Sequence, residues 1–189
     1  MIEVDLAARK FVPRVLLLPG WQNSGPDHWQ TRWELLHGDT RVEQDDWLWP
    51  KRGDWLAQLE QAVLADPRPA VLVAHSLGCH LVSAWAGHSR HAARVTGALL
   101  VAPPDLDRDD LPPQLAPWRS SVRRALPFAA KVVWSDDDPY CTSARSTAMA
   151  AAWGASAVAA GARGHLNGDS GLGDWPEGRQ LLAQFAGAG

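Results

Sequence analysis

Cysteine, tyrosine, phenylalanine and methionine are all scarce in this 189-residue chain: two Cys, one Tyr, three Phe and two Met. Cys79 and Cys141 are too few to staple a disulfide scaffold and lack metal-site spacing, so reduced thiols in a cytoplasmic protein are expected. No run approaches the ~18 apolar residues a membrane-spanning helix needs. The opening segment carries Glu3, Asp5, Arg9 and Lys10 and no signal-peptide apolar stretch. Basic residues are outnumbered, 18 Lys and Arg against 21 Asp and Glu, and the net charge of −3 leaves no electrostatic footprint for nucleic acid. Neither a nucleic acid nor a membrane is expected as a partner. There is no G-x-G-x-x-G after a strand and no G-x-x-x-x-G-K-[ST], which removes dinucleotide and P-loop chemistry. His88 and His91 have no carboxylate or thiol at matching spacing, so no metal and no cofactor are expected.

Tryptophan, by contrast, is abundant, with eleven copies. Large aromatics supply much buried area per residue, so most of them are expected in the core. The length suits one domain spanning residues 1–189 that folds without disulfides or metal. Hydrophobic residues at 46% and charged residues at 21% are ordinary for a globular chain.

Unbroken apolar runs mark strands buried on both faces: Arg14 to Leu18, Ala70 to Ala74, Ala98 to Ala102 and Lys131 to Trp134. Thr40 to Asp45 reads as a weaker edge strand and Ser156 to Ala159 as a short last one. Helical patterns alternate with them: Trp29, Trp33 and Leu36 share one face after Pro26, and Trp55, Leu59, Ala62 and Val63 share another after Asp54. Leu77 to Gly87 and a C-terminal segment beginning at Asp174, where Asp174 and Glu177 have capping-box spacing, complete the set. The fold class is therefore α/β: about six mostly parallel strands with helices on both faces. Ligands of such sheets bind beyond the carboxyl ends of the strands, which directs attention to two loops, Pro19 to Gly25 and the proline-rich Pro103 to Phe128.

Between the strand AVLVA and the next helix lies Ala74-His75-Ser76-Leu77-Gly78, a G-x-S-x-G nucleophile elbow with alanine in the first glycine position. The strand must turn sharply there, and small residues two before and two after the serine prevent collisions across the turn. A serine needs a base, and the base an orienting carboxylate, in the chain order Ser, acid, His. Gly164-His165-Leu166-Asn167 supplies His165. Ser135-Asp136-Asp137-Asp138-Pro139, after the strand KVVW, supplies Asp138 as preferred acid, with Asp136 and Asp137 as neighbouring alternatives. Acyl transfer also needs an oxyanion hole. The amides of Leu77 and Trp21 are the expected donors, with Gln22 in place of Trp21 as the alternative. Gln22 is also a candidate substrate contact. In Pro103 to Phe128, too short for a folded cap domain, Leu106, Leu111, Leu115 and Trp118 either anchor the loop or line an acyl pocket. Trp118 is the candidate substrate contact among them. Cys79 reads as a small buried residue, His75 and His80 as packing groups, and His28, His37, His88 and His91 as surface or boundary residues.

Together the stretch Pro19-Gly20-Trp21-Gln22-Asn23-Ser24-Gly25-Pro26-Asp27-His28-Trp29-Gln30, the elbow from His75 to Cys79, Ser135 to Pro139, and Gly164 to Asn167 resemble the small serine hydrolases related to retinoblastoma-binding protein nine. The resemblance spans nearly the whole chain. It implies a minimal α/β-hydrolase fold without a large cap, with Ser76 as nucleophile, Asp138 as acid and His165 as base. The expected substrate is a small ester or amide. One branch of that family is named for binding a protein, so a binding module on the same scaffold, with a protein partner, is the alternative expectation.

Overall fold

The computed structural model describes residues 13–120 and 123–186. The opening ten residues, read above for the absence of a signal peptide, lie outside the described residues. Six strands form one parallel sheet: β1 (Arg14–Leu18), β2 (Thr40–Arg41), β3 (Ala70–His75), β4 (Val95–Val101), β5 (Ala129–Trp134) and β6 (Ser156–Ala159). Their spatial order is β2-β1-β3-β4-β5-β6. Of the two weaker strands, Thr40 to Asp45 shrinks to the two-residue β2, which pairs with β1 at the sheet edge through Leu16 and Leu17. The α/β class and parallel pairing expected from the apolar runs are both present.

Alternating side chains of each strand feed two cores, as the pleat requires. Leu16, Leu18, Leu72, Ala74, Leu100 and Val132 face one cluster; Leu17, Val71, Val73, Leu99, Val101 and Val133 face the other. The first is covered by α2 (Arg52–Leu64), α3 (Leu77–Ala86) and α4 (Ser143–Trp153), which contribute Trp55, Leu59, Leu81, Trp85 and Trp153. The second is covered by α1 (Trp29–His37) and α5 (Pro176–Ala186), with Trp29, Trp33, Leu182 and Phe185. Helix α5 begins at Pro176, a residue pre-set for a first turn, two residues later than the start expected at Asp174. Asp174 is engaged elsewhere, its carboxylate by the Arg32 guanidinium and its carbonyl by the Trp33 indole N–H at 2.7 Å.

Seven of the eleven tryptophans are buried: Trp29, Trp33, Trp55, Trp85, Trp118, Trp153 and Trp175. Several do more than fill space, because each indole N–H finds a loop carbonyl. Trp29 donates to Leu166 O at 2.8 Å, Trp55 to Asp46 O at 3.2 Å and Trp118 to Pro50 O at 2.8 Å. A ring locked in the core thereby tethers a connection outside it, satisfying both polar groups at once.

Trp118 departs from its expected place. It is 2% exposed and meets Trp55 edge to face at 5.5 Å, so it anchors the Pro103–Phe128 connection instead of touching a ligand. The 3-10 turn Pro113–Trp118 buries the ring, while Leu115 within it and Leu111 before it line the crevice. Trp118→Ala is expected to cost about 3–5 kcal/mol of stability, the usual range for emptying a buried aromatic site. Urea denaturation checks this; an unchanged midpoint would return Trp118 to the surface.

Candidate active site

The strand order reverses between β1 and β3: from β1 the chain winds to β2 on one side, and from β3 onward it winds to the other. A crevice opens at the carboxyl ends of two such strands because their following connections diverge. The loop after β1 and the turn after β3 flank it. Ser76 occupies that turn with φ 55° and ψ −123°, a conformation costing a non-glycine residue of order 1–3 kcal/mol. Its amide donates to Val101 O at 2.9 Å, tying the turn to β4. Two glycines let the backbone close around it. A Cβ on Gly78 would stand 2.3 Å from Leu18 O, and one on Gly20 would stand 2.7 Å from the Ser76 Cβ. Glycine is obligatory at both positions, whereas Ala74, two before the serine, packs without conflict in the core.

The three side chains singled out from sequence meet here. His165 Nε2 lies 2.9 Å from Ser76 Oγ, and His165 Nδ1 lies 3.0 and 2.9 Å from the two oxygens of Asp138. An ionised carboxylate only accepts, so Nδ1 carries the proton and Nε2 is left to accept from the Ser76 hydroxyl. Asp138 also accepts from the Tyr140 amide at 2.9 Å, which fixes its plane. Asp137 faces a different task. Its carboxylate accepts from Ser135 Oγ at 2.8 Å and from the Gly164 amide at 2.7 Å, while Ser135 Oγ accepts from the Arg163 amide at 2.7 Å. One aspartate thus holds the imidazole and its neighbour holds the loop that carries it.

Opposite the imidazole, Leu77 is the first residue of α3, where amides have no intrahelical acceptor and the helix dipole is positive. In the β1 loop the Gln22 amide is already committed to Trp47 O at 3.0 Å, which favours Trp21 over Gln22 as the second donor toward a developing oxyanion. The Trp21 indole N–H is held by Leu48 O at 2.9 Å. Trp21, Gln22, Ser76, Leu77 and His165 all line a cavity of about 540 Å³, whereas Trp118 does not. The size is typical of a small-molecule site.

Leu111 and Leu115, two of the residues expected either to anchor the loop or to line a pocket, supply apolar wall. Tyr140, not singled out from the sequence, sets its ring edge to face against His165 at 4.6 Å between centroids. His28, expected at the surface or a boundary, and His75, expected to pack, are both buried and both reach the cavity. The signal that could have found His28 is its position before Trp29, where its ring accepts the Gln30 amide as an N-cap in place of the usual Ser, Asp or Asn. Cys79 is buried, and desolvation pushes its thiol well above the ordinary range, so it stays protonated and inert beside the serine. Among the described residues no three His, Cys, Asp or Glu cluster as metal ligands, and no helix is long and apolar enough to cross a membrane.

A family model described as serine hydrolase matches residues 15–184. Comparison with curated proteins by sequence finds no match. Among solved structures, the chain is similar to a protein described as a YdeN-like hydrolase from Pectobacterium atrosepticum, with 25% identity, TM-score 0.82 and coverage of 92% of this chain and 90% of that one. It is also similar in fold to the ydeN gene product of B. subtilis (22% identity, TM-score 0.72, 92% and 98% covered) and to the esterase RhEst1 of Rhodococcus sp. (13% identity, TM-score 0.66, 94% and 91% covered).

The two aspartates separate by experiment. Ser135 and the Gly164 amide hold the Asp137 carboxyl below its usual range. A depressed folded value means stabilisation present above the unfolded value of ~3.9 and lost as pH falls through the folded one. Asp137→Asn is therefore expected to melt below wild type at pH 7, with the gap narrowing on acidification below about pH 4. Thermal melts across that range check it; a gap independent of pH would remove Asp137 from the tether.

Proposed function

Because the chain belongs to the serine hydrolase family, we propose that it cleaves carboxylic esters with compact acyl groups through an acyl-enzyme on Ser76. The reading is carried by the continuous contact from Asp138 through His165 to Ser76, each step at hydrogen-bond distance. Ser76 Oγ attacks the ester carbonyl carbon while its proton passes to His165 Nε2. Asp138 keeps the imidazole in the reactive tautomer and stabilises the imidazolium. The carbonyl oxygen becomes an oxyanion facing the amides of Trp21 and Leu77, donors that need not reorganise. His165 then protonates the departing alkoxide, the C–O bond breaks, and an alcohol leaves. A water repeats the sequence with His165 as base, releasing the carboxylic acid and restoring the Ser76 hydroxyl.

Substrate class follows from the cavity wall. Trp21, Leu77, Leu111 and Leu115 offer apolar contact, and the lining carries the exposed carboxylates of Asp27 and Asp169, while Asp110 is paired with Arg108 at 2.6 Å. Neutral esters fit such a site better than anionic ones, and short chains better than long. Amides are the more demanding members of the same substrate class. A binding module would need neither the imidazole contact nor free amides at the serine, and this favours hydrolysis over a purely protein-binding role.

Ser76→Ala is expected to lose hydrolysis of a p-nitrophenyl ester by about 10⁴-fold or more with the fold intact, and Asp138→Asn by a comparable factor. Full activity in Ser76→Ala would contradict the mechanism. Across p-nitrophenyl esters from acetate to palmitate, kcat/KM is expected to peak at about two to four acyl carbons, as a site covered by a loop connection and not by a cap domain implies. A maximum at the long-chain end would mean that the Pro103–Phe128 connection conceals a deeper channel.

A further inference from the structure

His28 and His75 stand behind the reacting groups in an arrangement with one consistent assignment of protons. The Gln30 amide donates to His28 Nδ1 at 3.1 Å, His28 Nε2 lies 3.3 Å from His75 Nδ1, and His75 Nε2 lies 2.9 Å from His165 O. A neutral imidazole has one donor and one acceptor. Because an amide can only donate and a carbonyl can only accept, the chain is fixed from both ends. His28 must carry its proton on Nε2 and give it to His75 Nδ1; His75 must carry its proton on Nε2 and give it to the His165 carbonyl. Both rings are buried, at 4% and 5% exposure. Burial lowers the pKa of His28 to about 3 and pushes His75 well below its ordinary value, so neither ring gains a second proton that would reverse the chain at neutral pH.

Two buried imidazoles are an expensive way to fill space beside an apolar core, and their position suggests a mechanical use. The loop bearing His165 is held on its amide side by Ser135 and Asp137, through residues 163 and 164. On its carbonyl side it is held by the adjacent pair His28 and Trp29. Trp29 grips Leu166 O directly at 2.8 Å, and His28 grips His165 O through His75. The chain ends on a main-chain oxygen and not on the His165 ring, so it is a strut and not a proton wire.

We propose that His28 and His75 are positioning residues: through a directed chain of hydrogen bonds from α1 to the His165 carbonyl, they fix where the His165 imidazole stands over Ser76. This rests on the acyl-transfer reading of the site. Displacing a reacting group by about 1 Å can cost about 10²-fold in rate, so the strut is expected to act on turnover more than on substrate binding.

The test uses the three side chains that dissect His75. Gln places an N–H near the position of His Nε2, Asn places its amide near Nδ1, and Phe retains the ring shape without either. His75→Phe and His75→Asn are expected to lower kcat by up to about 10²-fold with KM within about twofold of wild type, while His75→Gln recovers most of the loss. His28→Asn keeps the N-cap but cannot reach His75, and is expected to fall between wild type and His75→Phe. Melting temperatures accompany each variant. If His75→Phe fails to fold, the Gln and Asn pair and His28→Asn still decide the matter. ¹⁵N NMR of the wild-type imidazoles gives a readout that packing alone would not set: His28 and His75 should both appear as Nε2–H tautomers and His165 as Nδ1–H. Wild-type kcat in His75→Asn, Gln and Asn variants with equal kcat, or His75 protonated on Nδ1 would overturn the proposal. Ser76→Ala, run alongside, separates the two levels: if it stays active the acyl-transfer reading falls and the proposal with it. If it is inactive while His75→Phe turns over normally, the strut alone is wrong.

Discussion

The strained turn at Ser76 is the constraint on which the site depends. A serine held at φ 55° and ψ −123° would relax unless its surroundings over-determined it. Here the surroundings are the backbone of two neighbouring connections. Gly78 sits against Leu18 O and Gly20 against the serine's own Cβ, so the β1 loop and the head of α3 close on the turn from both sides. That same closure brings the β1 loop against the first amide of α3, where a Cβ on Gly20 would stand 3.2 Å from Leu77 N. The parallel sheet makes the arrangement possible, because the order reversal between β1 and β3 places two independent connections beside one crevice.

The second requirement is a histidine whose position is as well determined as the serine's, although it comes from a loop near the far end of the sequence. Tethers accumulate on that loop from several directions: Ser135 and Asp137 on the amides, Trp29 and His75 on the carbonyls, Asp138 on the ring. The consecutive aspartates after β5 divide the work, Asp137 restraining the backbone and Asp138 the imidazole. The abundance of tryptophan fits the same pattern, since each buried indole offers one N–H from a rigid core position. The loops around the cavity are in this way fastened to buried side chains of the core.

What could be read from sequence was what is written locally. Runs such as AVLVA and RVLLL report strands buried on two faces, and Ala74 to Gly78 reports a turn whose residues must be small, so the parallel sheet and Ser76 were both visible. The chain order Ser, acid, His picks out Asp138 and His165, and the fold brings His165 to hydrogen-bond distance of both Asp138 and Ser76. Features created by distant contacts were not visible. His28 and His75 are 47 residues apart, and His75 reaches a carbonyl 90 residues further on, so no periodicity distinguishes them from boundary histidines. Trp118 failed for a related reason: in a proline-rich stretch no helical or strand period says which face turns inward, and the 3-10 turn sends Trp118 to the core and Leu115 to the cavity. Asp174 and Glu177 have capping-box spacing, yet α5 starts at Pro176, and Arg32, 142 residues away, takes the Asp174 carboxylate.

On the proposed mechanism the held turn makes Ser76, and no other side chain of the cavity, a covalent nucleophile. The direct measurement is peptide mapping by mass spectrometry after treatment with a fluorophosphonate, which reports the residue that bonds to phosphorus when fluoride leaves. One adduct per chain is expected, on the peptide containing Ser76 and abolished in Ser76→Ala. An adduct on Tyr140, or on a cysteine, or no adduct at all in folded protein, would contradict the mechanism.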